Sequence, residues 1–183
     1  MLLGLFADVH DHLDNLRRVV ELFNAQEVET VLFAGDLVST FAVPPLRKLK
    51  CPFVGCYGDN EGNKPGLQAG FGIIGKLAEA PVRWTSPDGV RFVLVHMERQ
   101  LRELPAGVEF DVAVVGHTHK PRIERDEQGR MFLNPGEVSG WTFRRPTVML
   151  FDTATCAARI VPLSSDGPDD ATPAEAIAAH DAG

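Results

Sequence analysis

The segment LLGLFADVH, residues 2–10, is a short apolar run that ends in two residues able to bind a metal ion, Asp8 and His10. An apolar run of about five residues bounded by polar ones is typical of a strand buried on both faces. The same pattern returns along the chain, and its repetition predicts the fold.

Four later apolar runs also end in side chains with oxygen or nitrogen donors. They cover residues 30–36 with Asp36, 52–59 with Asp59, 90–96 with His96, and 111–119 with His117 and His119. A polar residue at the end of each strand is typical of a sheet whose carboxyl edge carries the functional site.

Two helices are predicted between the first three runs. Residues 13–23 have apolar side chains at helical spacing, with Asp11 or Asp14 as the N-cap. The Pro44–Pro45 pair suits the first turn of a short helix ending near residue 50. Alternating strands and helices indicate parallel βαβ units.

The second half of the chain has a different pattern. Three hairpins are predicted, over residues 82–95, 122–133 and 147–163. The Gly-rich stretch 62–80 is predicted to be a lid-like loop with a poor helix from Leu67 onward. We therefore expect an α/β fold in which two sheets pack face to face with helices outside.

Length and composition favour one globular domain. The chain has 183 residues, of which 44% are hydrophobic and 23% charged, typical of a soluble domain. We expect the domain to cover residues 1–163, and residues 164–183 to form a linker and a short C-terminal helix or flexible tail. Three cysteines cannot all pair within the chain, so we expect reduced thiols and a cytoplasmic protein.

The charge and hydropathy of the chain exclude some partners. A net charge of −7 repels duplex nucleic acid, which binds proteins through basic side chains. No apolar run is long enough to span a membrane, so no membrane partner is expected. A homo-oligomer is left open.

Seven metal-binding side chains should meet at one edge of the sheets. Asp8 and His10 are two residues apart, and so are His117 and His119. In extended backbone this spacing puts both side chains of a pair on the same side of the strand. Mixed nitrogen and oxygen donors suit Mn, Fe, Zn, Co or Ni. Seven ligands exceed the need of one ion and fit two ions that share a carboxylate. The seven are Asp8, His10, Asp36, Asp59, His96, His117 and His119.

These motifs, in this order, resemble those of the calcineurin-like metallophosphoesterases, and more closely the small single-domain phosphodiesterases of bacteria and archaea. They are Asp8-Val9-His10, Gly35-Asp36, Gly58-Asp59-Asn60-Glu61, His96 and Gly116-His117-Thr118-His119, followed by Asn134-Pro135-Gly136. The resemblance implies a four-layer αββα sandwich of two mixed β-sheets with helices on the outer faces.

The resemblance also implies a binuclear metal centre in which Asp36 bridges the ions. Asp8, His10, Asp36 and His119 would hold one ion, and Asp36, Asp59, His96 and His117 the other. Two divalent ions would lower the pKa of a shared water, so that hydroxide attacks the phosphorus. We expect Mn first, with Fe, Zn, Ni or Co as alternatives.

The chain departs from the family pattern after its third strand. Asp59 stands where relatives have a neutral asparagine, and Asn60 where larger relatives have a catalytic histidine. Asn60 is therefore a candidate catalytic and substrate-binding residue, and His12 a candidate proton donor to the leaving group. Arg144 and Arg145 are candidates for contact with a substrate phosphate.

The expected function is metal-dependent hydrolysis of small phosphodiesters, including nucleotides or cyclic nucleotides. One alternative is a catalytically weak protein-binding module that resembles the retromer subunit of the same architecture. That subunit's branch lost metal-site residues, whereas every ligand position here keeps a ligand-capable side chain. A nuclease acting on short single strands is a third reading.

Overall fold

The apolar runs form two mixed β-sheets in the computed structural model, which describes residues 1–163. The first sheet has the strand order β11-β10-β1-β2-β3-β4, and the second has the order β5-β6-β7-β9-β8. The strands are β1 Leu2–Phe6, β2 Thr30–Ala34, β3 Phe53–Cys56, β4 Gly75–Ala78, β5 Val82–Thr85, β6 Arg91–Leu94, β7 Val112–Val114, β8 Arg122–Arg125, β9 Met131–Asn134, β10 Thr147–Asp152 and β11 Ala157–Pro162.

Helices cover the outer face of the first sheet and pack on its aromatic side chains. They are α1 Leu13–Ala25, α2 Val43–Leu46 and α3 Lys64–Phe71. A second apolar core lies between the two sheets. On the outer face of the second sheet, Leu101 of the 3₁₀ helix Glu98–Glu103 and Leu104, which caps it, pack against a small apolar cluster. The α/β sandwich of two mixed sheets is confirmed, with a thin outer layer on that side.

Strand pairing brings the carboxyl ends of five strands to one edge of the molecule. Strands β1, β2 and β3 are mutually parallel, and β6 is parallel to β7. The three predicted hairpins are confirmed as the antiparallel pairs β5–β6, β8–β9 and β10–β11.

Two local predictions were wrong. Residues 62–80 are not a lid-like loop, because β4 adds to β3 as a parallel edge strand after α3. The N-cap of α1 is His12, whose Nδ1 accepts a hydrogen bond from the Asn15 backbone N–H, and not Asp11 or Asp14. The predicted linker and tail at 164–183 lie outside the described residues.

Candidate metal centre

The seven predicted ligands lie in the loops that follow β1, β2, β3, β6 and β7. Their donor atoms form three overlapping groups, and within each group the atoms lie within 4.8 Å of one another. The groups are Asp8, His10 and His119; Asp59, His96 and His117; and Asp8, Asp36 and His96. The structure therefore brings all seven residues together.

Asp36 contacts a member of the Asp8–His10–His119 group and a member of the Asp59–His96–His117 group. Its Oδ2 lies 3.4 Å from Nε2 of His10 and 3.3 Å from Nε2 of His96. The Oδ1 of Asp59 lies 2.8 Å from the same His96 nitrogen and 3.5 Å from Nδ1 of His117. A carboxylate placed between two sets of donors is the arrangement that two neighbouring ions need.

Burial makes the centre of this cluster electrostatically unusual. Burial raises the pKa of Asp8 to about 7, although the nearby imidazoles oppose the change. Burial would also raise the pKa of Asp36, but His96 and Asn60 outweigh it and the pKa is lowered. Burial disfavours the charged form of His96, yet the neighbouring Asp36 carboxylate raises the pKa of His96 to about 9. These shifts show strong coupling among buried charges.

The donor set fits divalent ions with mixed nitrogen and oxygen coordination. Nε2 of His96 is buried, and although carboxylate oxygens of Asp59 and Asp36 lie 2.8 Å and 3.3 Å away, no atom of residues 1–163 is aligned with it for a hydrogen bond. A buried polar atom without a partner is costly unless something else binds it. Its other nitrogen, Nδ1, lies 2.8 Å from the Ala34 carbonyl oxygen, which orients Nε2 toward the cluster.

The backbone around the ligands is strained. Five of the seven ligands have positive φ angles, a conformation that is uncommon for residues other than glycine: Asp8, His10, Asp36, His117 and His119. The sequence predicted extended backbone for the pairs Asp8/His10 and His117/His119. The structure instead places both pairs in tight turns. As a result, His117 and His119 belong to different groups of donors.

Two buried or half-buried glutamates that sequence reasoning did not single out hold these turns. The Glu61 carboxylate accepts backbone hydrogen bonds from Asp36, Leu37 and Gly58, which joins two ligand loops. Glu137 is fully buried, and its Oε2 lies 2.8 Å from Nδ1 of His119. The sequence signal was an acidic residue directly after the Gly58-Asp59-Asn60 and Asn134-Pro135-Gly136 motifs.

Of the other predicted residues, Asn60 contacts the cluster directly. Asn60 donates hydrogen bonds to Asp36 from its side-chain amide (2.8 Å) and from its backbone N–H (3.0 Å). His12 uses Nδ1 as an acceptor at the start of α1, which leaves Nε2 as the protonated nitrogen of the neutral ring. Arg144 and Arg145 are exposed on the loop before β10.

Comparison with known proteins gives one consistent result. Residues 1–156 match the calcineurin-like phosphoesterase superfamily domain. Phosphodiesterase MJ0936 of Methanocaldococcus jannaschii is 31% identical over 162 residues, covering 84% of this chain and 93% of the relative.

Solved structures have the same fold. The structure of an archaeal phosphodiesterase aligns with a TM-score of 0.80 at 30% identity, covering 88% of this chain and 99% of the other. The zinc complex of Vps29 from Entamoeba histolytica aligns with a TM-score of 0.61 at 20% identity, covering 90% and 100%, which shows the fold alone. Among the described residues, no helix has the length and apolar character that crossing a bilayer requires.

Proposed function

Because this chain belongs to the calcineurin-like phosphoesterase superfamily, we propose that it is a phosphodiesterase that uses two divalent metal ions. The observation that carries the proposal is the position of Asp36 between two sets of donors. Similarity to an archaeal protein named as a phosphodiesterase supports the reaction type.

The proposed ligand sets follow the groups of donors. Asp8, His10 and His119 would hold one ion, and Asp59, His96 and His117 the other. Asp36 would bridge them. The donor types fit Mn first, with Fe, Zn, Ni or Co as alternatives.

Bound divalent ions would lower the pKa of water and stabilise negative charge on the phosphoryl oxygens. The protein's own residues would orient this chemistry. Glu137 and the Ala34 carbonyl fix the ring orientations of His119 and His96. The Asn60 amide holds the Asp36 carboxylate, and Nε2–H of His12 is the proposed proton donor to the leaving alkoxide.

The proposed substrates are small phosphodiesters, and Arg144 and Arg145 would contact their phosphate. A chain with a net charge of −7 lacks the basic surface that long duplexes require. Cytoplasmic location and the oligomeric state stay predictions.

The test is metal analysis of protein purified without chelators, followed by assay of bis-p-nitrophenyl phosphate with added Mn²⁺. We expect bound transition metal and Mn²⁺-dependent turnover. Asp36→Ala should abolish turnover while circular dichroism stays native. Glu127→Ala, which removes an exposed carboxylate from the β8–β9 turn, is the control and should match the wild type. Full turnover in Asp36→Ala would refute the binuclear proposal.

The second candidate function is the protein-binding module that the sequence left as an alternative, and the fold shared with Vps29 is compatible with it. Its expected signature is a protein that is metal-free as purified and inactive with Mn²⁺. The complete set of seven donors favours the hydrolase.

A further inference from the structure

Trp141 is an exposed aromatic side chain held beside the candidate metal centre. A tryptophan this exposed is unusual, because 64% of its surface is open to solvent. The indole Nε1–H nevertheless donates a hydrogen bond to the backbone carbonyl of His10 at 3.3 Å. The ring also lies against the His12 imidazole, with centroids 4.7 Å apart and planes 34° apart. The indole is therefore oriented by two residues of the site and still largely available for contact.

The loop that carries Trp141 is tied to the metal centre through Glu137. The Glu137 carboxylate accepts hydrogen bonds from the backbone N–H groups of Thr142 and Phe143, and from the Ser139 hydroxyl. The same carboxylate contacts His119. Because the buried Glu137 carboxylate holds both His119 and the loop that carries Trp141, the fold fixes the position of the indole relative to the metal ligands.

The same loop carries positive charge next to its aromatic side chains. Arg144 and Arg145 are exposed on this loop, and Lys120, which follows the ligand His119, has its Nζ 5.5 Å from the ring centroid of Phe143. Exposed cations and an exposed, oriented indole on one loop match the two parts of a nucleotide, a phosphate and a planar base.

We propose that Trp141 is a stacking platform for the nucleobase of a nucleoside phosphodiester, whose phosphate lies at the metal centre. This inference rests on the proposed function and narrows its substrate class from phosphodiesters in general to those with a base. The imidazole of His12 supports one face of the indole, and the base would stack on the other.

A matched pair of ligands isolates the contribution of the base. Thymidine 5′-monophosphate and 2-deoxyribose 5-phosphate carry the same sugar and phosphate and differ in the base. Each is measured as a competitive inhibitor of bis-p-nitrophenyl phosphate hydrolysis by the Mn²⁺-loaded protein. We expect the thymidine nucleotide to bind about tenfold more tightly, equivalent to about 1.4 kcal/mol.

Variants of Trp141 separate stacking from a structural role. The quantity compared is the ratio of the inhibition constants of 2-deoxyribose 5-phosphate and thymidine 5′-monophosphate. Trp141→Ala should reduce this ratio to about one. Trp141→Phe keeps an aromatic ring but loses the hydrogen bond to His10, and it should keep most of the ratio. Ile73→Ala is the control, because Ile73 is also a highly exposed apolar residue (76%), which lies between α3 and β4. An unchanged ratio in Trp141→Ala, or equal weakening of both ligands, would overturn the proposal.

Fluorescence gives a second measurement that does not depend on turnover. The chain has two tryptophans, and Trp84 alone remains in Trp141→Phe. We expect thymidine 5′-monophosphate, but not 2-deoxyribose 5-phosphate, to quench the wild-type protein, and little quenching in Trp141→Phe. An inactive wild type that shows this quenching would refute the hydrolase and keep the platform. Equal quenching in the wild type and Trp141→Phe would refute the platform.

Discussion

Asp59 differs from the other acidic residues of the metal centre in its exposure. Its side chain is 42% exposed, whereas those of Asp8 and Asp36 are buried. It faces His96 and His117, so its charge acts on the ion that those residues would hold. Compared with a neutral asparagine at this position, Asp59 adds one negative charge to the site.

We expect Asp59→Asn to weaken metal binding and raise the activity of the loaded enzyme. Loss of one unit charge beside a divalent ion should increase the Mn²⁺ half-saturation by about 10- to 30-fold, on the order of 2 kcal/mol at water-like screening. A less negative site should also repel an anionic phosphodiester less, which raises the plateau rate.

Mn²⁺ titrations of turnover, with calorimetric titration of binding, compare the Asp59→Asn protein with the wild type. Glu127→Ala is again the matched loss of one exposed negative charge. Identical half-saturation and plateau in wild type and Asp59→Asn would show that Asp59 is not a ligand.

The cysteines give a prediction about pH. Burial raises the pKa of the half-buried Cys51 from 9.0 to about 11, and raises that of the buried Cys56 further. A raised pKa lowers the fraction of reactive thiolate at every pH below it. Iodoacetamide should therefore label Cys51 about 100-fold more slowly in the folded than in the urea-unfolded protein at pH 8.

The rate for Cys51 should continue to rise up to about pH 11, beyond the plateau of an ordinary thiol, while Cys56 should react only after unfolding. Peptide mass spectrometry measures both sites in one sample. Rapid labelling of Cys56 in native protein would contradict the buried position of β3.

The loops that carry the ligands approach one another so closely that a side chain cannot fit between them. A Cβ at Gly58 would overlap the Asp36 carboxylate and lie 2.6 Å from the Asp36 backbone nitrogen. Since backbone cannot move aside as a side-chain tip can, Gly58→Ala should displace Asp36 and reduce Mn²⁺-dependent turnover by at least about 100-fold. Gly62→Ala is the matched control, because a Cβ at residue 62 would lie 3.6 Å from the nearest atom, the Val38 carbonyl oxygen.

Steady-state kinetics and thermal unfolding of both glycine variants measure this effect. Gly62→Ala should behave as the wild type does. Normal turnover in Gly58→Ala would mean that the loops after β2 and β3 separate easily, contrary to the hydrogen bonds that the Glu61 carboxylate accepts from both loops.

The elements that could be predicted from sequence are those whose pattern is local. β1, β2 and β3 are almost wholly buried, so each appears as a continuous apolar run. β4 was missed because Gly75-Lys76-Leu77-Ala78 has neither a run nor an alternation of apolar residues. It becomes a strand because β3 offers an unpaired edge, with the Phe53 N–H donating to Ile74.

The same distinction applies to the site. The seven ligands could be proposed because metal binding requires particular side chains, and each followed a predictable strand. The roles of Glu137 and Trp141 depend on contacts with His119 and His12, which are distant in sequence. The only sequence signal for Glu137 was its place after the Asn134-Pro135-Gly136 motif, and Trp141 had none. The positive φ angles of five ligands likewise have no local signal in the sequence.

The candidate metal centre lies where loops of the two sheets meet. Asp8, Asp36 and Asp59 follow strands of the first sheet, whereas His96, His117 and His119 follow strands of the second. Polar contacts already cross between them, including the hydrogen bond that the His117 backbone N–H donates to the Asp8 carboxylate. Ions bound by the aspartates of the first sheet and the histidines of the second would stabilise the contact between the two sheets at this edge.

Metal removal should therefore lower the stability of the entire fold, since ions that bind only the folded state stabilise it by mass action. Mn²⁺ at about 100 times its dissociation constant should add about 2.7 kcal/mol, or about 5–10 °C in Tm for a domain of this size. Calorimetry at pH 7.5, after EDTA treatment and after Mn²⁺ is restored, measures the difference. Asp36→Ala should lose most of the Mn²⁺-dependent increase and Glu127→Ala should keep it. Hydrogen exchange should show the added protection in strands of both sheets, and protection confined to one sheet would contradict a centre shared between them.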